Sequence, residues 1–208
     1  MRHLIVKALH REESFLAEGV ERLSTALKNS GVHVNIRDLY RLDFQPVLSM
    51  KDFNTLNQNQ LSPDILLEQD YIRISDILWV VFPVWWSSMP AILKGYIDRV
   101  FLSGFAYNMK GNKPVGLLAH KKVIILNSMG MSEKEYSESG MFDALRLTID
   151  KGIFEFSGMQ VLEHRYFTSI MSAGESTRNK YLDEITELAS RFSLSEQEDM
   201  REPVKKAS

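Results

Sequence analysis

The segment P-V-W-W-S-S-M-P, residues 83–90, sets two adjacent indoles directly after an apolar run and closes with a second proline. Neighbours on a strand face opposite ways, so Trp85 and Trp86 at a strand end cannot both enter one core face. Two outcomes stay open. One indole stands at the mouth of a cleft, where a planar π-system can lie beside it, or the pair plugs the end of the sheet. A second segment, N-S-M-G-M-S-E-K-E-Y (residues 127–136), holds Gly130, which permits close backbone approach to a ligand, and the hydroxyls of Ser128 and Tyr136. A third, L-H-R-E-E-S-F (residues 9–15), places His10 and Ser14 before a helical stretch. Ser14 can cap that helix, whose first N–H groups favour an anion such as a phosphate. Glu12 and Glu13 weigh against an anion, and plain helix capping is the competing reading.

Other chemistries are excluded. The chain has no cysteine, which removes disulfides, thiolate metal sites, iron–sulfur clusters and cysteine nucleophiles. His3, His10, His33, His120 and His164 form no H-x-x-x-H or H-E-x-x-H pair, so no metal is expected. Only His10 falls where a ligand is expected; His33 and His164 lie inside strands as structural or exposed residues. The G-x-S-x-G elbow, the G-x-G-x-x-G turn and the P-loop are all absent. A formal net charge of -2 gives no field for phosphate neutralisation, and no nucleic acid is expected. The most apolar run, residues 77–86, is about half the length that spans a bilayer, and the first apolar run is too short for a signal-peptide core. These features predict a soluble cytoplasmic protein with no integral membrane segment.

The elements that must carry these segments alternate between short apolar runs and longer amphipathic stretches, the pattern of βαβ units. Strands are predicted over residues 4–9, 32–39, 77–84, 123–126 and 160–170. Helices are predicted over 13–29, 63–75, 90–101, 140–157 and 175–192, with Met141, Leu145, Ile149 and Ile153 spaced four apart in the fourth. Residues 40–63, polar and rich in Asn and Gln, read as an excursion with a functional or partner-contact role. Right-handed crossovers leave few arrangements, and a five-stranded parallel sheet of order 2-1-3-4-5 with helices on both faces is expected. Residues 1–192 form one domain and 193–208 a polar, frayed tail. In such a sheet ligands bind beyond the carboxyl ends of the strands, where all three segments fall.

Residues 82–101, F-P-V-W-W-S-S-M-P-A-I-L-K-G-Y-I-D-R-V-F, resemble the flavin-binding strand, loop and helix of the NAD(P)H:quinone oxidoreductase family, which has a flavodoxin-like fold. F-A-Y at 105–107 belongs to the same block. D-L-Y-R-L-D-F-Q-P-V-L-S-M-K-D-F (38–53), L-S-P-D-I-L-L-E-Q (61–69) and G-I-F-E-F-S-G-M-Q-V-L-E (152–163) resemble further family blocks in the same order. The resemblance covers about residues 4–170.

It implies that Pro83, Val84, Trp85 and Trp86 line the isoalloxazine ring. Ser128, Met129 and Gly130 close over its pyrimidine side, Tyr136 reaches the ring edge, and His10, Ser14 and Phe15 hold the ribityl-phosphate end. Tyr136 is the implied catalytic residue, and Tyr107 and Phe142 the implied substrate contacts, with Tyr107 facing substrate across a homodimer interface. The implied reaction passes hydride from NAD(P)H through the flavin to a quinone or similar small acceptor. The flavin is FAD by the likeness of the insert, or FMN as in many compact bacterial relatives. The chain departs from the family in three places. The loop between His10 and Ser14-Phe15 is one residue short, with Leu16 following that pair in place of the family's Asn, the Thr-Thr-Gly-Gly loop is replaced by S-M-G-M (128–131), and Phe142 stands where a histidine partners the tyrosine. Two other roles compete: an ancillary regulatory subunit of a potassium-efflux system, and an electron-carrying flavodoxin, which the near-neutral charge disfavours.

Overall fold

The computed structural model describes residues 1–57 and 60–194. Along the chain it forms β1 (Arg2–Lys7), α1 (Phe15–Asn29), β2 (His33–Asp38), α2 (Met50–Asn57), α3 (Pro63–Ile74), β3 (Ile77–Pro83), α4 (Ala91–Val100), β4 (Tyr107–Lys110), β5 (Lys113–Gly116), β6 (Lys122–Ser128), α5 (Glu133–Glu138), α6 (Met141–Leu145), β7 (Gln160–Phe167) and α7 (Glu175–Leu194). β2, β1, β3, β6 and β7 lie side by side in that order as a parallel sheet. Counting only these five strands, the order is the expected 2-1-3-4-5.

Side chains alternate along each strand, so each face of the sheet collects every second residue. Leu4, Val6, Leu78, Val80, Val123 and Ile125 share one buried cluster with Ile72 of α3, Leu93 of α4 and Leu145 of α6. Ile5, Trp79, Val81, Ile124 and Leu126 share another with Leu16, Val20 and Leu23 of α1 and Leu182 and Ile185 of α7. β3 is buried through its first six residues, as a central strand requires. Inside the second cluster the Trp79 indole N–H donates to His3 Nδ1 at 3.0 Å. Burial pushes the His3 imidazole down to about 4.

Four short elements escape a reading by periodicity. The excursion after β2 contains α2, the chain after α4 forms the hairpin β4–β5, and α5 lies between β6 and α6. The helices have 8 and 6 residues and each strand 4, too few repeats for a pattern to register. The excursion is tied to α4 by Arg99, which donates to Asp52 (3.0 Å), Asp64 (2.7 Å) and the Gln45 carbonyl (2.9 Å).

The expected α-helix over 140–157 is α-helical only in α6 and continues as a π-helix, Arg146–Glu155. Ile149 and Phe154, five apart, are both buried, while Ile153 is only partly so. A five-residue step returns to the same face in the wider π-turn but not in an α-turn. α7 extends to Leu194, two residues beyond the expected end, and the rest of the predicted tail lies outside the described residues. Among the described residues no helix is long and apolar enough to cross a membrane.

Candidate functional site

Because the sheet is parallel, the carboxyl ends of β1, β3, β6 and β7 meet at one edge, and the backbone ladder continues past them. Val84 N–H donates to the Ser128 carbonyl at 2.9 Å, and Met129 N–H donates to the Phe167 carbonyl at 2.9 Å. Ser169 and Ile170 then donate to the carbonyls of Met131 (2.8 Å) and Met129 (3.1 Å). The Pro83–Trp86 and Ser128–Gly130 segments are thus held against one another by main-chain bonds, independent of side-chain identity.

After β3 the chain reverses in a tight turn. Trp85 and Ser88 exchange N–H to carbonyl bonds of 2.9 and 3.0 Å, and the two central residues, Trp86 (φ 49°) and Ser87 (φ 58°), are left-handed. That is the backbone of a type I′ turn. A bulky residue such as Trp is seldom found there, and the conformation stores strain. The Trp86 indole is fully solvent-exposed and Trp85 is 38% exposed. Neither is buried as a plug at the end of the sheet. Trp85 is met edge-on by the His10 ring at 4.9 Å between centroids, so the first and second segments touch.

Gly130 lies beside this turn in sheet order. A Cβ built on it would meet no atom within 4 Å, so its backbone faces open space. The Met129 side chain is buried and offers a ligand only its backbone. Tyr136 sits on α5, which Ser132 and Glu135 start with a capping box. Its ring centroid is 5.7 Å from that of Phe142, which is 4.8 Å from Tyr166.

Ser14 caps α1, accepting from Ala17 N–H at 3.2 Å. With Phe15 it lines a cleft of 890 Å³ whose wall carries Lys7, Arg41 and Arg178 against Glu12, Glu13, Glu18, Glu21, Asp38 and Glu175, with Lys7 paired to Asp38 at 2.9 Å. Arg178 donates to the Ile170 carbonyl at 3.0 Å, which ties this wall to the turn after β7. Neither arginine is picked out by the sequence, since each lies far along the chain from Ser14. Tyr107 lies elsewhere, against Phe156 (5.4 Å between centroids) in a more apolar cleft of 480 Å³ with Phe53, Phe101 and Leu102. Phe142 packs with Tyr136 and Tyr166, whereas Tyr107 packs with Phe156.

The residues beneath the site are missed by motif reading. Asn127 is fully buried at the end of β6 and donates through Nδ2 to the Phe82 carbonyl at 3.2 Å. His164 Nε2 lies 2.6 Å from Asn127 Oδ1, and its Nδ1 lies 2.6 Å from Asp150 Oδ1. Burial pushes the His164 imidazole down, against the pull of Asp150 upward. The one available signal is an asparagine closing the apolar run V-I-I-L-N.

An open parallel α/β sheet defines a class of folds in which ligands bind beyond the carboxyl ends of the strands. The chain belongs to the family of flavodoxin-like fold, whose model matches residues 1–189. It is 33% identical over 184 residues to an uncharacterized NAD(P)H oxidoreductase of Haemophilus influenzae, a match that covers 88% of this chain and 91% of that one. It is 32% identical over 202 residues to NAD(P)H dehydrogenase (quinone) 1 of Rattus norvegicus, covering 88% of this chain and 74% of that one. Among solved structures, NAD(P)H:quinone oxidoreductase from Methanothermobacter marburgensis matches with a TM-score of 0.80 at 26% identity, over 91% of this chain and 97% of that one. The resemblance seen in residues 82–101 therefore extends over the chain.

Proposed function

We propose that this protein is a flavin-dependent oxidoreductase that passes hydride from NAD(P)H to a quinone or similar small acceptor. The observation that carries the reading is the strand-end segment Pro83–Trp86, bonded through Val84 N–H to the Ser128 carbonyl two residues before the open backbone of Gly130, in a chain whose relatives are named NAD(P)H and quinone oxidoreductases. The donor set fits a planar conjugated ring: exposed indoles, a backbone free of Cβ, and no charged side chain among Pro83–Trp86 or Ser128–Gly130. Flavin, when bound, supplies two-electron transfer between a nicotinamide and a quinone.

The residues of the chain bind and orient. Trp85 and Trp86 offer faces for stacking, and Ser128, Met129 and Gly130 offer backbone groups to the pyrimidine side. The Tyr136 hydroxyl is placed to stabilise charge near the ring edge. Phe142 fills the place of a proton-carrying partner without holding a proton. His10, Ser14 and Phe15 take the ribityl-phosphate end, where the N-terminus of α1 favours an anion. The likeness of residues 38–69 to the insert of FAD-using family members favours FAD, with FMN as the alternative.

The same reading makes residues 1–192 one doubly wound domain with helices on both faces, for which the two core clusters speak. It makes the molecule a homodimer, supported by exposed Val47, Met50, Phe53 and Phe156, the last two lining the cleft that holds Tyr107. With NAD(P)H as donor, the same reading has it work in the cytoplasm. The test is direct: release the flavin and identify it by mass, then assay NADH and NADPH oxidation with a panel of quinones. A colourless chain that takes up neither FAD nor FMN, or a flavin-loaded one that oxidises neither nucleotide, would overturn the reading.

A further inference from the structure

We propose that Asp150, His164 and Asn127 are positioning residues that act through one buried hydrogen-bonded chain on the Phe82–Pro83 peptide, from which the Trp85–Ser88 turn springs. The inference rests on the flavin reading for its functional consequence, not for its geometry. The chain crosses from the π-helix through β7 and β6 to the end of β3. Its links are Asp150 to His164 (2.6 Å), His164 to Asn127 (2.6 Å) and Asn127 to the Phe82 carbonyl (3.2 Å).

The direction of each bond follows from donor and acceptor types. A carbonyl only accepts, so Asn127 must present Nδ2 to Phe82; the reverse orientation would set two oxygens face to face. Asn127 Oδ1 is then the acceptor toward His164, whose Nε2 must carry a proton. Asp150 Oδ1 lies 2.6 Å from the other nitrogen, Nδ1, with the Tyr166 hydroxyl 3.0 Å from the same atom; since Nε2 already carries a proton, that contact holds a second one, on Nδ1 or on the Asp150 carboxyl. Sharing that proton, Asp150 orients the imidazole, and the imidazole orients the amide.

The π-helix is what makes the carboxylate available. Asp150 follows Ile149, and in the widened turn both are buried. π-turns recur at functional sites. His164 also reaches the site by a second path. It stacks on Tyr166 (4.2 Å, 30°), which touches Phe142, which touches Tyr136. One buried imidazole therefore braces both the turn that carries the indoles and the tyrosine at the ring edge.

The test compares Asn127→Leu, which keeps the branched four-atom side-chain skeleton and removes both of its bonds, with His164→Gln, whose amide N–H can still reach Asn127. His33→Gln, on the exposed side of β2, serves as control. Amide hydrogen exchange at Val84 and Ser88 reads the turn with no flavin present. Titration of the flavin-free chain with FAD and with FMN reads the site. Asn127→Leu should speed exchange at Val84 and weaken flavin binding about tenfold, the size of one buried hydrogen bond left unmade. His164→Gln should bind like the control. Unchanged exchange and affinity in Asn127→Leu overturn the proposal. If the parent binds neither flavin, the functional reading fails, and exchange at Val84 still decides the positioning chain. If Asn127→Leu does not fold, His164→Leu against His164→Gln makes the same comparison, and equal exchange and affinity in that pair overturn it.

Discussion

A Cβ built on Gly95 would stand 2.1 Å from the carbonyl oxygen of Pro46 and 2.4 Å from the Pro46 Cβ. The helix that follows the indole-bearing turn is thus in backbone contact with the excursion after β2. Gly95→Ala has no flexible tip to push aside and should cost about 1–3 kcal/mol as overpacking. Gly19→Ala meets the Ile185 Cδ1 at 2.8 Å, with the Leu182 Cδ2 at an ordinary 3.8 Å. The Ile185 methyl can move, and alanine favours the helix, so the change should stay below about 1 kcal/mol. Urea denaturation of the two variants checks the contrast, and equal losses would refute it.

Arg99 joins the same two parts by charge. Arg99→Met removes the guanidinium from beside the buried Asp52 carboxylate and should cost about 3 kcal/mol near neutral pH. Burial pushes the Asp52 carboxyl up, but its hydrogen bonds to Arg99 and Ser49 outweigh that and hold it below the usual range. Stabilisation of this kind is full above the ordinary carboxylate pKa and is lost as pH falls through the lower folded value. The gap between parent and variant should therefore narrow below about pH 4. A gap independent of pH would contradict the assignment.

His3 predicts a second pH effect in a different window. Its folded value of about 4 lies below the unfolded 6.5, so the unfolded chain takes up the proton first. Stability should be full above 6.5 and should fall by about 3 kcal/mol as pH drops toward 4. His3→Gln, which can still accept from the Trp79 indole, should flatten that part of the profile. A variant as steep as the parent between those pH values would show that His3 is not the group responsible.

Trp86 trades stability for binding. Glycine accepts a φ of 49° without strain, so Trp86→Gly should leave stability within about 1 kcal/mol of the parent, with strain relief set against glycine's added unfolded-state entropy. Losing a stacking face should weaken flavin binding about tenfold. Paired melting and flavin titration read both effects; unaltered affinity would place the ring away from this indole.

Tyr136 and Phe142 address catalysis. Tyr136→Phe should slow quinone-dependent NAD(P)H oxidation about tenfold while leaving flavin affinity unchanged. Phe142→His places an imidazole beside the tyrosine and should add a pH dependence near 6.5 to the rate. Stopped-flow reduction across pH is the measurement. A Tyr136→Phe rate equal to the parent's would remove that residue from the mechanism.

Much of this architecture is written locally. The alternation of apolar runs and amphipathic stretches, the right-handed crossovers that order the five strands, and the unusual segment at residues 83–90 are properties of neighbours along the chain. Periodicity and position can reveal them, and the strand-end location of the candidate site follows. Tertiary structure alone decided the rest. Whether Trp85 and Trp86 plug the sheet or stand open depends on two left-handed residues in a turn. α2 and the β4–β5 hairpin are too short to declare themselves. The chain from Asp150 through His164 to Asn127 and Phe82 joins residues far apart in sequence, and its hydrogen bonds exist only once the π-helix, β7, β6 and β3 are packed. Hydrophobic pattern is a one-dimensional signal, whereas a buried polar network is defined by distances and directions that the folded chain supplies.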